Sequence, residues 1–235
     1  MSPIVCALVA AAANVAGAAA VTSRRAWSTR TLELLIALAA GFMLSVSLTD
    51  LIPDAIIRDN ANGALFVLAG FLLVHLTQHT LVGHFHFGEE THTVSKHVSA
   101  SALAGLLLHT FGDGVAIASG FLVSPALGIL VFGAIALHKL PEGLAISSLV
   151  LAAGGSRSAA LGAAALLGVA TVAGVLTTDA FAPLAHYGLA LSGGVTLYVG
   201  ASNLIPEFQH KPGWLHNGAF FAGVGIYFLA RMALS

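Results

Sequence analysis

Charge is what this chain has least of. Only 8% of its 235 residues are Asp, Glu, Lys or Arg, against roughly 25% in a soluble domain. A mean hydropathy of +0.93 excludes a water-soluble fold. The net charge of −1 offers no basic surface to nucleic acid. Cysteine is almost absent too. Cys6 alone can form neither an internal disulfide nor a thiolate-rich metal centre, and reads as a small residue facing lipid or a neighbouring helix. Strict apolar/polar alternation is also missing, which excludes a membrane barrel. What remains is an all-α integral membrane protein, because the apolar residues come in long runs.

Runs between polar or Gly/Pro-rich breaks give eight candidate spans, at about 4–22, 31–57, 63–83, 98–122, 126–150, 159–181, 186–206 and 215–233. The breaks are short, such as RDNANG (58–63), VSPA (123–126) and GGSRS (154–158), so the chain reads as one transmembrane domain over 1–235. A secretory leader carries its positive charge before the apolar stretch. Here Arg24 and Arg25 follow it, which reads as a first span with its N-terminus outside. With that orientation Arg24, Arg25, Arg30, Lys96, Arg157 and Lys211 fall on the cytoplasmic side, and only Arg58 and Arg231 outside. The bias predicts eight helices with both termini extracytoplasmic. Leu-Ile-Pro-acid occurs twice, in LTDLIPDA (48–55) and ASNLIPEF (201–208). The second and seventh spans run in opposite directions, as the halves of an inverted-repeat transporter would.

An ionisable side chain at mid-membrane costs at least roughly 2.5–3.5 kcal/mol and marks function by default. Glu33, near the start of the second span, suits the helix dipole and is set aside. The fourth span reads HTFGDG, with His109 and Asp113 four apart; the fifth reads HKLPEG, with His138 and Glu142 four apart. On a helix, residues i and i+4 share a face. Two such helices face to face would bring two imidazoles and two carboxylates to one point, a set suited to Zn²⁺, Fe²⁺ or Mn²⁺. The carboxylates carry −2, which a divalent ion neutralises. Gly114 and Gly143 follow the two acids and allow close helix approach. Pro141 removes one backbone bond beside His138, as a simple kink or as part of the site.

These paired signatures, His-x-x-x-Asp-Gly and His-x-x-Pro-Glu-Gly, resemble those of the ZIP (Zrt/Irt-like) metal transporters. Eight spans, outward termini and a histidine-bearing loop after the third span fit as well. The resemblance implies transport of Zn²⁺ or a related divalent cation (Fe²⁺, Mn²⁺, Co²⁺ or Cd²⁺) toward the cytoplasm as substrate, with no organic cofactor. It further implies an inverted relation between spans 1–3 and 6–8 around spans 4 and 5, and transport-site ligands at His109, Asp113, His138 and Glu142. The chain departs from the family where many members place further ligands for a second metal. Thr110 and Lys139 follow the two histidines, and Ala182 stands before Pro183 where some members carry an acid, Asp179 lying three residues earlier. Lys139 is therefore expected to stand in place of a second ion, leaving one metal. The alternative is a lysine that snorkels or pairs with Asp179, Asp50 or Glu207.

Other polar residues could line the path. Asp50 and Asp54, and likewise Asn203 and Glu207, repeat the i, i+4 spacing; His75 and His79 form another such pair in the third span. The loop HFHFGEETHTVSKH holds His84, His86, His92 and His97 with Glu89 and Glu90, and reads as a weak metal collector on the cytoplasmic side or as a plain solvated loop. The partners expected are the metal ion and the bilayer, with a homodimer left open. Short loops suggest a prokaryotic cytoplasmic membrane. An intramembrane zinc-dependent hydrolase is the alternative function, but His-Glu-x-x-His on a single helix is absent.

Overall fold

The computed structural model describes residues 1–23, 29–80 and 96–234, which form helices and no strand. They are α1 (Pro3–Thr22), α2 (Thr29–Val46), α3 (Ile52–Arg58), α4 (Gly63–Thr80), α5 (Lys96–Val123), α6 (Pro125–Ala152), α7 (Arg157–Ala180), α8 (Ala182–Tyr198), α9 (Pro206–Gln209) and α10 (Leu215–Leu234). Among the described residues, seven stretches are long and apolar enough to cross a bilayer, and α4 adds a shorter apolar helix over Gly63–Thr77. The chain is a multi-pass, all-α membrane protein. Ser124 and Ser156 start α6 and α7 by accepting the backbone N–H groups of Leu127 and Ala159, each at 3.1 Å. Gly154 turns the chain between those helices at φ +80°. Between α3 and α4, the Asp59 carboxylate accepts the backbone N–H groups of Asn62 and Ala61, at 3.0 and 3.2 Å. Those bonds, the Asn62 bond foremost, hold the Asp59 carboxyl below its ordinary value.

The repeated Leu-Ile-Pro has a structural counterpart. A π-helical turn over Ser47–Leu51 joins α2 to α3, and another over Val199–Leu204 joins α8 to α9. In each, the isoleucine before the proline donates five residues back, Ile52 to Ser47 and Ile205 to Gly200. The widened turn precedes a proline that has no N–H of its own to give.

Two groups of helices emerge from the contacts. In the first, α1 lies on α6 and α7, and α5 on α6 and α7; in the second, α2 lies on α10, and α4 on α8. Inside each group, crossings are made by glycines set against backbone carbonyls. Gly17 meets Leu140, Gly143 meets Asn14, Gly114 meets Thr171 and Gly174 meets Phe111. Likewise Gly41 meets Phe220, Gly223 meets Leu38, Gly70 meets Leu191 and Gly194 meets Val67. A Cβ at any of these would push two helices apart. The groups meet where α5 touches α8 and α2 touches α6. Glycines at those seams face side chains instead: Gly112 faces Val195, Gly133 faces Phe42 and Gly188 faces Ser119. Gly114 and Gly143 thus do permit close approach, but to α7 and α1 rather than to each other's helix.

Candidate metal centre

His109 and Asp113 project from α5, and His138 and Glu142 from α6, one helical turn apart in each case. All four side chains are buried, none more than 7% exposed. One ligand atom from each lies within 4.8 Å of the other three, the only such group of three or more among the described residues. Asp113 Oδ2 is 3.5 Å from His109 Nε2 and 3.4 Å from His138 Nε2. Glu142 Oε2 is 3.8 Å from both nitrogens. Donors bound to one transition-metal ion must be near neighbours of this kind, because each lies about 2.0–2.2 Å from the metal.

Backbone bonding orients one of the imidazoles. His138 Nδ1 is 3.1 Å from the carbonyl of Ala134, one turn earlier on α6. A carbonyl can only accept, so Nδ1 carries the proton and Nε2 presents its lone pair inward, where no protein donor meets it. His109 Nδ1 is buried without a hydrogen-bond partner.

Lys139 is the departure from a plain four-ligand cage. It is fully buried, with Nζ 2.6 Å from Asp113 Oδ2 and 2.9 and 3.2 Å from Glu142 Oε2 and Oε1. It neither snorkels nor pairs with Asp179, Asp50 or Glu207; its partners are the two acids of the site. The cluster holds two carboxylates and one ammonium, a residual charge of −1. Thr110 is buried as well, but its hydroxyl donates to the Leu107 carbonyl at 3.1 Å. Pro141 lies within an unbroken α6. Asn14 of α1 was not singled out by sequence, and its Nδ2 lies 3.4 Å from Glu142 Oε1.

The flanking candidates lie apart from this group. Asp50 is buried in the first π turn, where the Tyr227 hydroxyl donates to it and Arg231 lies 3.2 Å away. Asp54, Asn203 and Glu207 are half-buried and Asp179 is exposed at the end of α7. His75 is exposed on α4 with its ring edge-on to Tyr198, at 5.8 Å between centroids. The side chains of His79 and His97 lie outside the described residues, as does the loop with His84, His86, His92, Glu89 and Glu90. Glu33, set aside as a dipole residue, instead binds Lys211 at 3.0 Å and His216 at 3.1 Å, tying α2 to the start of α10. Cys6 and Met43 are fully buried in the apolar core.

The family model for the ZIP zinc transporters matches residues 78–231, which include all four candidate ligands. The zinc transporter GufA of Myxococcus xanthus is 33% identical over 168 residues, covering 67% of this chain and 66% of that protein. The zinc transporter YKE4 of Saccharomyces cerevisiae is 23% identical over 215 residues, covering 77% of this chain and 62% of that one. The chain thus spans less than two thirds of the length of either relative. With the family model covering more than half of its residues, and that match enclosing the only convergent His/carboxylate group described, the chain belongs to the ZIP zinc transporter family.

Proposed function

We propose that this protein carries divalent transition-metal cations, zinc foremost, across the membrane toward the cytoplasm, with His109, Asp113, His138 and Glu142 as the transport-site ligands. One observation carries the reading: four buried donors from two adjacent helices converge within 4.8 Å at mid-span, in a cluster with an uncompensated negative charge. Two imidazoles and two carboxylates favour zinc over magnesium or calcium, and also accommodate Fe²⁺, Mn²⁺, Co²⁺ and Cd²⁺. Both relatives are named as zinc transporters, and the family is one of transporters rather than enzymes. Lys139 stands where a second cation would sit, its ammonium within 2.9 Å of both acids, and the site takes one metal.

Alternating access is the mechanism, and the inverted repeat is its frame. Gly41 and Gly194, Asp50 and Asn203, Pro53 and Pro206, and Gly70 and Gly223 all stand at one constant separation. The pairing of α2 with α10 mirrors that of α4 with α8, and the two π turns correspond. Such correspondence supports an inverted relation of spans 1–3 and 6–8. The distribution of Lys and Arg supports extracytoplasmic termini, and the short loops fit a prokaryotic inner membrane. Asp54, Asn203, Glu207, His75, His79 and Asp179 remain candidates for the path. Asp50 joins α2 to α10 through Tyr227 and Arg231.

The test is zinc uptake into vesicles holding the purified protein, with Fe²⁺, Mn²⁺, Co²⁺ and Cd²⁺ as competitors. Uptake is expected to disappear in His138→Ala and Glu142→Ala. Uptake that survives both substitutions would falsify the site, and no uptake of any of these ions by the wild type would sink the activity.

A further inference from the structure

We propose that Asn14, on α1, is a positioning residue of the metal centre, holding Glu142 so that its Oε2 faces the ion. The inference rests on the metal-centre reading above. Asn14 is fully buried, and its Nδ2 donates to Glu142 Oε1 at 3.4 Å. The same oxygen accepts from Lys139 at 3.2 Å. The other oxygen, Oε2, is the one 3.8 Å from both histidine Nε2 atoms. Lys139 bonds both oxygens, Oε2 more closely at 2.9 Å, so Asn14 is the donor that reaches Oε1 alone and sets the carboxylate plane from outside the ligand set. Partners of this kind set the orientation and basicity of a metal ligand.

Joining α1 to α6 does not require the amide. Gly17 and Gly143 already bring the two backbones into contact. The far end of the amide, Oδ1, is buried without a hydrogen-bond partner, and an unpaired buried acceptor weakens a fold. An apolar side chain of similar size would fill the space without orphaning an atom. The crossing on the other side of the site supplies the contrast. Thr171 of α7 presents its carbonyl to Gly114 as Asn14 presents its own to Gly143. The Thr171 hydroxyl bonds its own helix, at 3.2 Å from the Leu167 carbonyl. Asn14 spends its donor on a ligand; Thr171 does not.

Asn14→Leu and Asn14→Ser, in the full-length purified protein, separate orientation from packing. Zinc binding is read by calorimetry, uptake kinetics in vesicles, and folding by thermal melting in chelator. The zinc Kd and the uptake KM are expected to rise about tenfold in either folded variant, the range for losing a group that orients a metal ligand. The maximal rate should change less than about threefold, because the ion's direct donors are intact. Thr171→Val should match wild type in all three measurements. A folded Asn14 variant with wild-type KM overturns the proposal. Failure of both Asn14 variants to fold also overturns it, by assigning the amide to helix association. A wild type that binds no zinc would instead remove the metal centre itself.

Discussion

Two clusters in this molecule have the same ingredients and opposite character. Each contains carboxylate, lysine and histidine. At the start of α2, Glu33 meets Lys211 and His216 near the surface, with Lys211 side chain 32% exposed. Between α5 and α6, Asp113 and Glu142 meet Lys139, His109 and His138 with no side chain above 7%. In the outer cluster one carboxylate faces one ammonium, and the account balances. In the inner cluster two carboxylates face one ammonium, and both histidines turn Nε2 toward the excess oxygens. Uncompensated buried charge is expensive. On the proposed function the uncompensated cluster is suited to a mobile cation, whereas the balanced cluster ties α2 to α10.

The sharpest way to break the contrast is to give the inner cluster the outer one's charge. Asp113→Asn leaves one carboxylate to one ammonium and removes a ligand oxygen. Zinc uptake is expected to fall by about a hundredfold or more, at or beyond the upper range for loss of a supporting group. Retention of a tenth of wild-type uptake would contradict the charge argument. Lys139→Met pushes the other way and leaves both carboxylates buried without a cation. In chelator the variant should lose about 3–5 kcal/mol of stability, the usual result of removing one partner of a buried pair. Zinc should restore most of that loss, and wild type should hold one tightly bound zinc per chain by metal analysis. A chelator-treated Lys139→Met as stable as wild type would show that the ammonium does not serve as the resident cation.

Acidification makes a milder change. Ligation requires deprotonated donors, so zinc uptake should fall as the medium is acidified from about pH 7.5 to about pH 5. A flat profile would argue against imidazole ligation. The smallest effect belongs to the outer cluster. Glu33→Gln should cost no more than about 1 kcal/mol, as partly exposed pairs do, and leave zinc KM unchanged. A change in KM would link the α2–α10 tie to the transport site after all.

How much of this could be read from sequence follows from distance along the chain. The four candidate donors were legible because each pair repeats at helical spacing on consecutive spans. Lys139 was visible as an anomaly, yet its partners were sought elsewhere. One of them, Glu142, stands three residues away on the same helix, and the other across the α5–α6 contact. Asn14 gave no signal, being a single amide in an apolar helix with no polar neighbour at i+3 or i+4. Its meaning appears only when α1 is laid on α6. Glu33 likewise reads as a dipole residue until the chain returns 183 positions later with His216. The repeated Leu-Ile-Pro was legible as an echo, but the π turns before it depend on hydrogen-bond geometry that residue names do not encode.

The glycine crossings have a mechanical consequence. Where backbone rests on backbone there is no side chain to yield, so α1, α5, α6 and α7 are expected to move as a single casting around the His/carboxylate cluster. The seams along α5–α8 and α2–α6, lined by side chains such as Val195, Phe42 and Ser119, are the surfaces free to slip. A disulfide placed across Gly112 and Val195, where a Cβ has room, should therefore stop turnover without disturbing zinc binding. If turnover survived it, the sliding surface would have to lie elsewhere. If the proposed transport site and this division both hold, the ion would ride in a block that moves past its frame rather than thread between helices.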